Sequence, residues 1–259
     1  MTAEDRKQNI LDLLSKNGSV KVTELKNLFS VSEVTIRNDL ADMENKGLLS
    51  RTHGGAVLSY KPYYSMNFNQ RMEANYSEKT KIAQEISKMI EPEDTVMLNA
   101  GTTTLMVFHE LPQNIPLKII TNSIAIALEA SVNPDFNVTL VGGQVNTKYQ
   151  FTYGIETIEE LKKYHVDKLI LSVDGIDAEN GFSTYYGEEA GVDRIMMERA
   201  DVTIVAADRT KLRRNAFVKI SDIDSADVIV TTGTLSDKEK ALFEASGVDV
   251  IIAKQEKVL

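Results

Sequence analysis

The segment Asn99-Ala-Gly-Thr-Thr-Thr104 combines small and hydroxyl-bearing residues between an apolar run and a helical pattern. We expect the run Thr95–Leu98 to form a strand and Leu105–Leu111 to form a helix. A helix N-terminus offers free backbone N–H groups and a favourable dipole, and the threonines add hydroxyl donors, so the segment suits a phosphate group. Threonines at helix starts are also common caps, which leaves a purely structural role open for this motif.

Small polar residues also follow other apolar runs in the same half of the chain. In open parallel sheets, ligands bind beyond the carboxyl ends of the strands, so these residues are expected to meet at one edge and form a polar pocket. The pocket would offer aspartates to sugar hydroxyls and a lysine to an anion. Asp-Gly sequences also favour tight turns, so a turn role for the aspartates stays open. The candidate ligand-binding residues are Asn99, Gly101, Thr102, Thr103, Thr104, Thr121, Asn122, Ser123, Gly142, Gly143, Asp174, Asp177 and Lys211.

A second set of residues has the chemistry needed to read DNA. Residues 32–45 are predicted to form a helix whose buried side carries Ile36, Leu40 and Met43. At 100° per residue, the opposite side presents an asparagine and two apolar groups, flanked by a threonine and an arginine. Asparagine can pair with adenine, arginine with guanine, and threonine or apolar groups can contact the thymine methyl. The outward residues are Val34, Thr35, Arg37, Asn38 and Ala41.

Polar residues around this helix are suited to phosphate anchoring, which cations and helix N-termini provide. The expected anchors are Lys21, Lys26, Ser32, Lys46, Arg51 and His53. Asp39 lies nearer the core side, and we expect it to orient its surroundings rather than to contact DNA. The segment 1–58 holds eight basic and eight acidic residues, whereas many nucleic-acid binders have a basic excess. A three-helix packing unit or a protein-docking module therefore remains an alternative for this segment.

Two groups of elements are required to position these residues. In residues 1–58, three short helices and a hairpin around Gly54-Gly55 predict a winged helix-turn-helix domain. Residues 59–76 have no clean period and are predicted to be a linker. In residues 77–259, β-branched runs alternate with helical segments, which predicts a parallel sheet covered by helices on both faces. The predicted fold class is therefore α/β, with an N-terminal winged helix-turn-helix domain and a larger Rossmann-like domain.

The composition excludes several classes of protein. The 259 residues are 42% hydrophobic and 26% charged, which is typical of a globular chain. With no cysteine, the chain cannot form a disulfide, a thiolate zinc site or a cysteine nucleophile. The three histidines lack zinc-ligand spacing, and no P-loop or dinucleotide motif follows a strand, so we expect no metal, no cofactor and no catalytic residue. Without a long apolar run or an apolar N-terminal segment, the expected location is the cytoplasm, with no membrane contact.

Two motifs in the first 58 residues resemble those of a known family. Val31-Ser-Glu-Val-Thr-Ile-Arg-Asn-Asp-Leu40, followed by Arg51-Thr-His-Gly-Gly-Ala56, resembles the signature of the DeoR family of bacterial transcriptional regulators. Many members carry Thr-Ile-Arg-Arg-Asp-Leu, and Asn38 stands here where the second arginine would be. Arginine can donate two hydrogen bonds to guanine, whereas asparagine is better suited to adenine. We therefore expect a different operator sequence.

The resemblance extends through the second half of the chain, whose blocks look like those of the DeoR effector domain. It implies a fold similar to ribose-5-phosphate isomerase and a phosphorylated sugar as effector, and it adds Glu188 to the candidate effector residues. Asp208-Arg-Thr-Lys211 commonly reads Asp-Ser-Ser-Lys in the family, so Arg209 bears on the choice of effector. The blocks are Gly101–Thr104, Thr121–Ser123, Gly142-Gly143, Val173–Asp177, Glu188–Ala190 and Ser221–Asp224.

The leading hypothesis is a repressor of a carbohydrate-utilisation operon that binds double-stranded operator DNA and is released by a phosphorylated sugar. Because operators are usually read as two half-sites, we expect a homodimer or homotetramer. A phosphosugar isomerase with an added DNA-binding head is the alternative, with Asp174 or Asp177 as base, although the isomerase's glycine-rich, lysine-bearing loop is missing near 181–187. A regulator controlled by protein partners would show no phosphosugar effect. The sequence leaves open the sugar, the operator, the oligomer size and any activator role.

Overall fold

A computed structural model describes residues 1–17, 19–57, 64 and 66–254. The chain divides into two compact units, Met1–Ala74 and Asn75–Leu259, which are called the first and second unit below. The predicted domain boundary at Leu58 and residues 59–63 and 65 of the predicted linker lie outside the described residues. Among the helices that are described, none is long and apolar enough to cross a membrane.

The first unit contains a helix-turn-helix pair and a three-stranded antiparallel sheet in the order β1-β3-β2. Its helices are α1 (Ala3–Asn17), α2 (Val22–Phe29), α3 (Glu33–Asn45) and α4 (Phe68–Glu73). Its strands are β1 (Ser19–Lys21), β2 (Ser50–Thr52) and β3 (Gly55–Val57). Helix α4 lies within the segment 59–76 that the sequence predicts to be a linker, and Asn67 and Gln70 form its capping box.

Local chemistry explains the turn between α2 and α3. Ser30 adopts the left-handed conformation with φ 54°, which ends α2, and the Ser32 hydroxyl then caps α3 by accepting a hydrogen bond from the Thr35 N–H at 3.0 Å. The apolar faces of the three helices meet in one core. Its largest fully buried members include Ile10, Leu14, Leu25, Ile36, Leu40, Met43 and Leu49.

The hairpin of β2 and β3 forms the wing, and its glycine pair has a steric cause. A Cβ added to Gly55 would lie 1.9 Å from the carbonyl oxygen of Val20 in β1, so no side chain fits there. Gly54 meets no such neighbour. The sequence predicts the hairpin from the Gly54-Gly55 turn but not β1, because β1 is equally short and does not flank that turn.

The second unit is built on a seven-stranded parallel sheet in the order β15-β14-β12-β9-β4-β5-β6, which confirms the predicted α/β class. The sheet strands are β4 (Thr95–Leu98), β5 (Leu117–Thr121), β6 (Phe136–Leu140), β9 (Val166–Ser172), β12 (Ala200–Ala206), β14 (Val228–Thr231) and β15 (Asp249–Ile252). The helices are α5 (Tyr76–Ser87), α6 (Thr102–Glu110), α7 (Ile124–Ala130), α8 (Ile155–Leu161), α9 (Gly187–Glu198) and α10 (Asp237–Ala245).

Shorter strands lie near the edge at which the seven parallel strands end. One antiparallel sheet has the order β10-β11-β13 and a second pairs β7 with β8. The strands are β7 (Gln144–Asn146), β8 (Phe151–Tyr153), β10 (Gly175–Asp177), β11 (Gly181–Thr184) and β13 (Val218–Ser221). Because all seven main strands are parallel, the residues that follow β4, β5, β9 and β12 meet at one edge.

Candidate DNA-reading face and ligand site

The outward face of α3 carries the side chains that the sequence assigns to DNA. Val34 is 67% exposed, and Arg37 and Asn38 are also exposed, whereas Thr35 and Ala41 are half-buried. The opposite face packs into the core of the first unit. This arrangement leaves one amide, one guanidinium and an apolar group available on the helix that follows the turn, which is the geometry required to read bases in a major groove.

A groove of about 340 Å³ lies between α3 and the wing. Arg37 lines it on the helix side, and Arg51 and His53 line it on the wing side. The Arg51 guanidinium is 2.7 Å from Glu44 Oε2, and its backbone N–H donates to Glu44 Oε1 at 2.8 Å. These backbone and side-chain hydrogen bonds hold the pKa of Glu44 below its usual value. Because a guanidinium carries five N–H donors, Arg51 can donate to a DNA phosphate while its Nε keeps the bond to Glu44.

The other predicted anchors differ in how they are engaged. Ser32 is committed to the α3 cap, which leaves the helix N-terminus exposed beside it. Lys21 is exposed, with its ammonium 3.6 Å from Glu24. His53 is exposed in the turn of the wing.

A buried ion pair connects α1 to α3. Asp39 is 6% exposed and accepts from Arg6 Nε at 2.6 Å and from Arg6 Nη2 at 3.2 Å. This two-pronged contact fixes the rotation of α3 and so the direction of its outward face. The sequence suggests the orienting role of Asp39 but not its partner, which lies 33 residues away.

In the second unit, the Thr102 end of α6 lies beside a buried lysine. Gly101 precedes the helix, and a Cβ there would lie 1.9 Å from Ser172 Oγ, so any larger residue would have to displace that hydroxyl. Lys79 is 2% exposed, and its Nζ donates to the Thr102 hydroxyl at 3.0 Å. Thr103 is also buried in the first turn. This helix start therefore combines a dipole, hydroxyls and a cation.

A second buried lysine faces the same edge. Lys211 is 4% exposed, and its Nζ lies 3.5 Å from Asp174 Oδ1. Burial opposes the ionisation of Asp208, but the charges of Lys211 and Lys79 and the hydrogen bonds of Thr210 lower its pKa below the ordinary value. Two buried ammonium groups thus act on the same carboxylate. The structure brings Thr102, Asp174 and Lys211 together as predicted neighbours and adds Lys79 and Asp208 to them.

Asn99 occupies the centre of a hydrogen-bond network. Its amide nitrogen donates to the Ser172 carbonyl at 3.0 Å and to Asp193 Oδ1 at 3.1 Å, and its oxygen accepts from the Ser172 N–H and the Thr104 hydroxyl, each at 2.9 Å. Burial and the nearby charge of Asp174 raise the pKa of Asp193 to about 7, although the hydrogen bond from Asn99 acts to lower it. These contacts tie β4, β9 and α9 together.

The other predicted ligand residues mainly support the loops around this edge. Thr121 donates to the Leu98 carbonyl, Asn122 bridges the Ala100 N–H and the Thr152 carbonyl, and Ser123 caps α7. Gly142 and Gly143 are exposed.

The acidic residues further along the chain either stabilise the local structure or are exposed. The carboxylate of Asp177 accepts from the N–H groups of Glu179 and Asn180 and closes the turn between β10 and β11. Glu188 is exposed in the first turn of α9, while the neighbouring Glu189 accepts from the Thr184 hydroxyl at 2.5 Å. The sequence reasoning missed Lys79, Ser172, Glu189 and Asp193. Asp193 had a signal, since it lies on the same helix face as the buried Ala190 and Met196, and Glu189 lies in the family-like block Glu188–Ala190.

Comparison with known proteins decides the family. A sequence model of the DeoR-like helix-turn-helix domain matches residues 6–61, and one of the DeoR C-terminal sensor domain matches residues 74–233. The chain belongs to the DeoR family. The family is one of transcriptional regulators, so this DeoR-family protein is a DNA-binding regulator of transcription and not an enzyme.

Relatives of this DeoR-family protein match along nearly their whole length. The HTH-type transcriptional regulator YulB of Bacillus subtilis is 34% identical, over 96% of this chain and 96% of that protein. The HTH-type transcriptional repressor GlcR of the same species is 30% identical, over 99% of each chain. The glycerol-3-phosphate regulon repressor of Escherichia coli is 30% identical, over 89% of this chain and 91% of that protein.

Solved structures with similar folds are more distant. Ribose 5-phosphate isomerase A from Methanocaldococcus jannaschii is 19% identical with a TM-score of 0.39, over 53% of this chain and 55% of that chain. The eIF2B beta subunit from Chaetomium thermophilum is 12% identical with a TM-score of 0.42, over 83% and 56%. Within the described part of the DeoR-family chain, no group of three His, Cys, Asp or Glu side chains could hold a metal ion.

Proposed function

We propose that the protein represses a carbohydrate-utilisation operon in the cytoplasm and releases its operator when a phosphorylated sugar binds the second unit. The observation that carries this proposal is the pair of buried lysines, Lys79 and Lys211, around the α6 start at Gly101–Thr104. A member of a regulator family that places two buried cations in its sensor domain is equipped to detect an anion.

The α6 start offers a phosphate its backbone N–H groups beside the Lys79 ammonium. Burial of an ammonium group costs free energy unless anions compensate for it, and Asp174 and Asp208 supply that compensation without a ligand. A phosphate at the α6 start would add a second negative charge near Lys79 and would accept from backbone N–H groups. Asp174 could then turn toward sugar hydroxyls.

The names of two relatives support the proposal, one with respect to the effector and the other with respect to repression. The relative in Escherichia coli is named for the glycerol-3-phosphate regulon, and GlcR is named as a repressor. We therefore assign the same class of ligand, a phosphorylated sugar or polyol, to this chain.

The DNA side of the proposal assigns base reading to Val34, Arg37 and Asn38, with Thr35 and Ala41 at the edges of the contact. Lys21, Arg51 and His53 are assigned to phosphates. A symmetric dimer or tetramer would present two such faces to two half-sites. By linkage, an effector that weakens operator binding must itself bind less tightly when operator is present.

Replacing Arg37 with alanine is expected to weaken binding to an operator fragment by about 10- to 100-fold, because one base-reading side chain is lost. The affinity for sugar phosphate is expected to stay unchanged. Fluorescence anisotropy on a duplex selected from genomic fragments by the wild-type protein measures the loss. Lys240→Ala is the matched control, since it removes the same charge from the exposed end of a lysine in the second unit. Equal losses for both variants would show that only net charge matters.

Replacing Thr103 with valine is expected to weaken sugar-phosphate binding by about tenfold, because a hydrogen bond to a charged group is lost while the shape is kept. Operator affinity without effector should not change. The measurement is a thermal-shift screen with hexose, pentose, amino-sugar and polyol phosphates, since a ligand of the native state raises the melting temperature. Arg37→Ala serves as the reciprocal control. If both substitutions damaged both activities equally, the assignment of separate sites would be wrong.

A further inference from the structure

The cations of the first unit are matched by carboxylates. Among the lysine and arginine side chains that the structure describes in residues 1–58, all but Arg37 form an ion pair with an aspartate or a glutamate. Attraction to any duplex depends on the cations that replace counterions on its phosphates, so a paired cation contributes less to it. The paired side chains are Arg6, Lys7, Lys21, Lys26, Lys46 and Arg51.

The pair of Glu44 and Arg51 is held by both oxygens of its carboxylate. Oε1 accepts from the Arg51 backbone N–H at 2.8 Å, and Oε2 accepts from Arg51 Nε at 2.7 Å. The exposed pair of Lys21 and Glu24 has a single contact of 3.6 Å. Because Glu44 belongs to α3 and Arg51 to β2, the double contact fixes the wing arginine relative to the base-reading helix.

The carboxylate of Glu44 lies where DNA is expected to approach. Glu44 follows Arg37 by seven residues, which is about two helical turns, so both lie on one face of α3 and about 10 Å apart along its axis. Both line the groove between α3 and the wing, together with Arg51 and His53. A carboxylate in this groove repels a phosphate unless a cation compensates for its charge.

The outer end of the Arg51 guanidinium is available. Its Nε bonds to Glu44, and within the described residues no hydrogen bond engages either Nη nitrogen. The Arg51 side chain is 47% exposed. Because a guanidinium has five N–H donors, Glu44 can hold one side of it while the Nη groups donate to a phosphate.

We propose that Glu44 is a specificity-determining residue, which makes the phosphate contact of Arg51 depend on where the DNA backbone lies. The inference rests on the proposed function of Arg51 as an anchor. On the operator, base contacts fix the backbone, so that one phosphate meets the Nη groups while Glu44 keeps its bonds. On other sequences the phosphates have no fixed place. Arg51 then gains a contact only by leaving Glu44, whose carboxylate repels the backbone.

The test compares the full chain on two duplexes of equal length by fluorescence anisotropy, at salt concentrations from about 50 to 200 mM. One duplex is selected from genomic fragments by the wild-type protein and serves as the operator, and the other is random. Glu44→Gln is expected to lower the ratio of operator affinity to random-duplex affinity by about tenfold, because glutamine keeps the shape but loses the charge and one acceptor.

The salt dependence distinguishes this role from support of the fold. In Glu44→Gln, random-duplex affinity is expected to rise and its salt dependence to steepen by about one phosphate contact, since Arg51 is released to any phosphate. The salt dependence on the operator should stay unchanged, because Arg51 contacts a phosphate there in both proteins. A residue that only stabilised the fold would lower both affinities and change neither salt dependence.

Glu24→Gln is the matched control, since it removes the same charge from a carboxylate of the first unit that does not line the groove. It is expected to shift both affinities together and to keep their ratio. Arg51→Gln is the second variant and should lower operator affinity more than random-duplex affinity. Adding Glu44→Gln to Arg51→Gln should lower the ratio no further, because the two residues act through one contact.

The inference is overturned if Glu44→Gln keeps the wild-type ratio, or if Glu24→Gln lowers the ratio as much. It is also overturned if Glu44→Gln lowers the ratio further when Arg51 is already glutamine. A wild-type protein that prefers no genomic duplex over random DNA would overturn the proposed function instead.

Discussion

Replacement of Arg6 by methionine is expected to destabilise the first unit by about 3–5 kcal/mol, because the buried carboxylate of Asp39 is left without its charged partner. Both side chains are at most 10% exposed, so water cannot replace the lost contact. Helix α3 should lose its fixed rotation, and operator binding should fall with it. Hydrogen exchange measured by mass spectrometry on peptides of α1 and α3 reports the local stability in the full chain.

Two variants distinguish the effect of the buried Arg6–Asp39 pair from that of an exposed ion pair. Lys7→Met removes the neighbouring contact with Asp42, whose carboxylate is 41% exposed, and a pair of that kind contributes about 0–1 kcal/mol. The double variant Arg6→Met with Asp39→Leu removes both buried charges and is expected to recover most of the protection. Exchange rates in Arg6→Met that equal those of Lys7→Met would refute the role of the pair.

Replacement of Asp193 by asparagine is expected to stabilise the second unit by an amount that grows with pH. Burial, and then the charge of Asp174, raises the pKa of Asp193 from 3.8 to about 7 in the folded chain. In the unfolded chain the carboxyl ionises near its ordinary pKa. The contribution of Asp193 to wild-type stability therefore falls as pH rises from about 4 to about 7 and levels off above, since the native site disfavours the charge.

Asparagine keeps the acceptor for the Asn99 amide and carries no charge. The variant therefore does not lose stability through ionisation of this buried side chain as pH rises. The gain in free energy of unfolding is expected to be on the order of 3 kcal/mol at pH 8 and to vanish below pH 4. Thermal unfolding of both proteins between pH 4 and pH 8 measures it. Parallel pH profiles for the two proteins would contradict the prediction.

Asp167 provides a control of opposite sign. Hydrogen bonds from the side chain and then the backbone of Thr95 lower the pKa of its carboxyl. That contribution is present above the ordinary pKa and is lost as pH falls, so Asp167→Asn should lower stability at pH 8 and have less effect in acid. A common response of both aspartates would indicate an effect of net charge and not of local environment.

Local patterns were sufficient to predict much of the fold and one part of the candidate site. The spacing of Ile36, Leu40 and Met43 determines which side of α3 is buried, so its outward residues follow from helix geometry alone. The alternation of β-branched runs and helices determines the parallel sheet and hence the edge at which polar loops meet. The segment Gly101–Thr104 at a helix start was visible for the same reason.

Partners distant in the chain could not be predicted in this way. Lys79 reaches Thr102 from 23 residues away, and Asn99 reaches Asp193 from 94 residues away. Hydroxyl and amide side chains at strand ends look alike in sequence whether they serve a ligand or the fold. In the structure, Thr121 and Asn122 bond to buried backbone groups, which must be paired wherever loops pack closely.

The sequence by itself determined the helix-turn-helix, the seven strands of the parallel sheet, the family and the residue types offered to DNA and to an anion. Each of these depends on short-range periodicity or on a contiguous motif. Only the tertiary structure decided which of those residues meet. Packing places Lys79, Asp174 and Lys211 at one edge, pairs Arg6 with Asp39 and holds Arg51 against Glu44. These contacts join different elements, and the free energy of burying a charge or a ring depends on those neighbours and not on position along the chain.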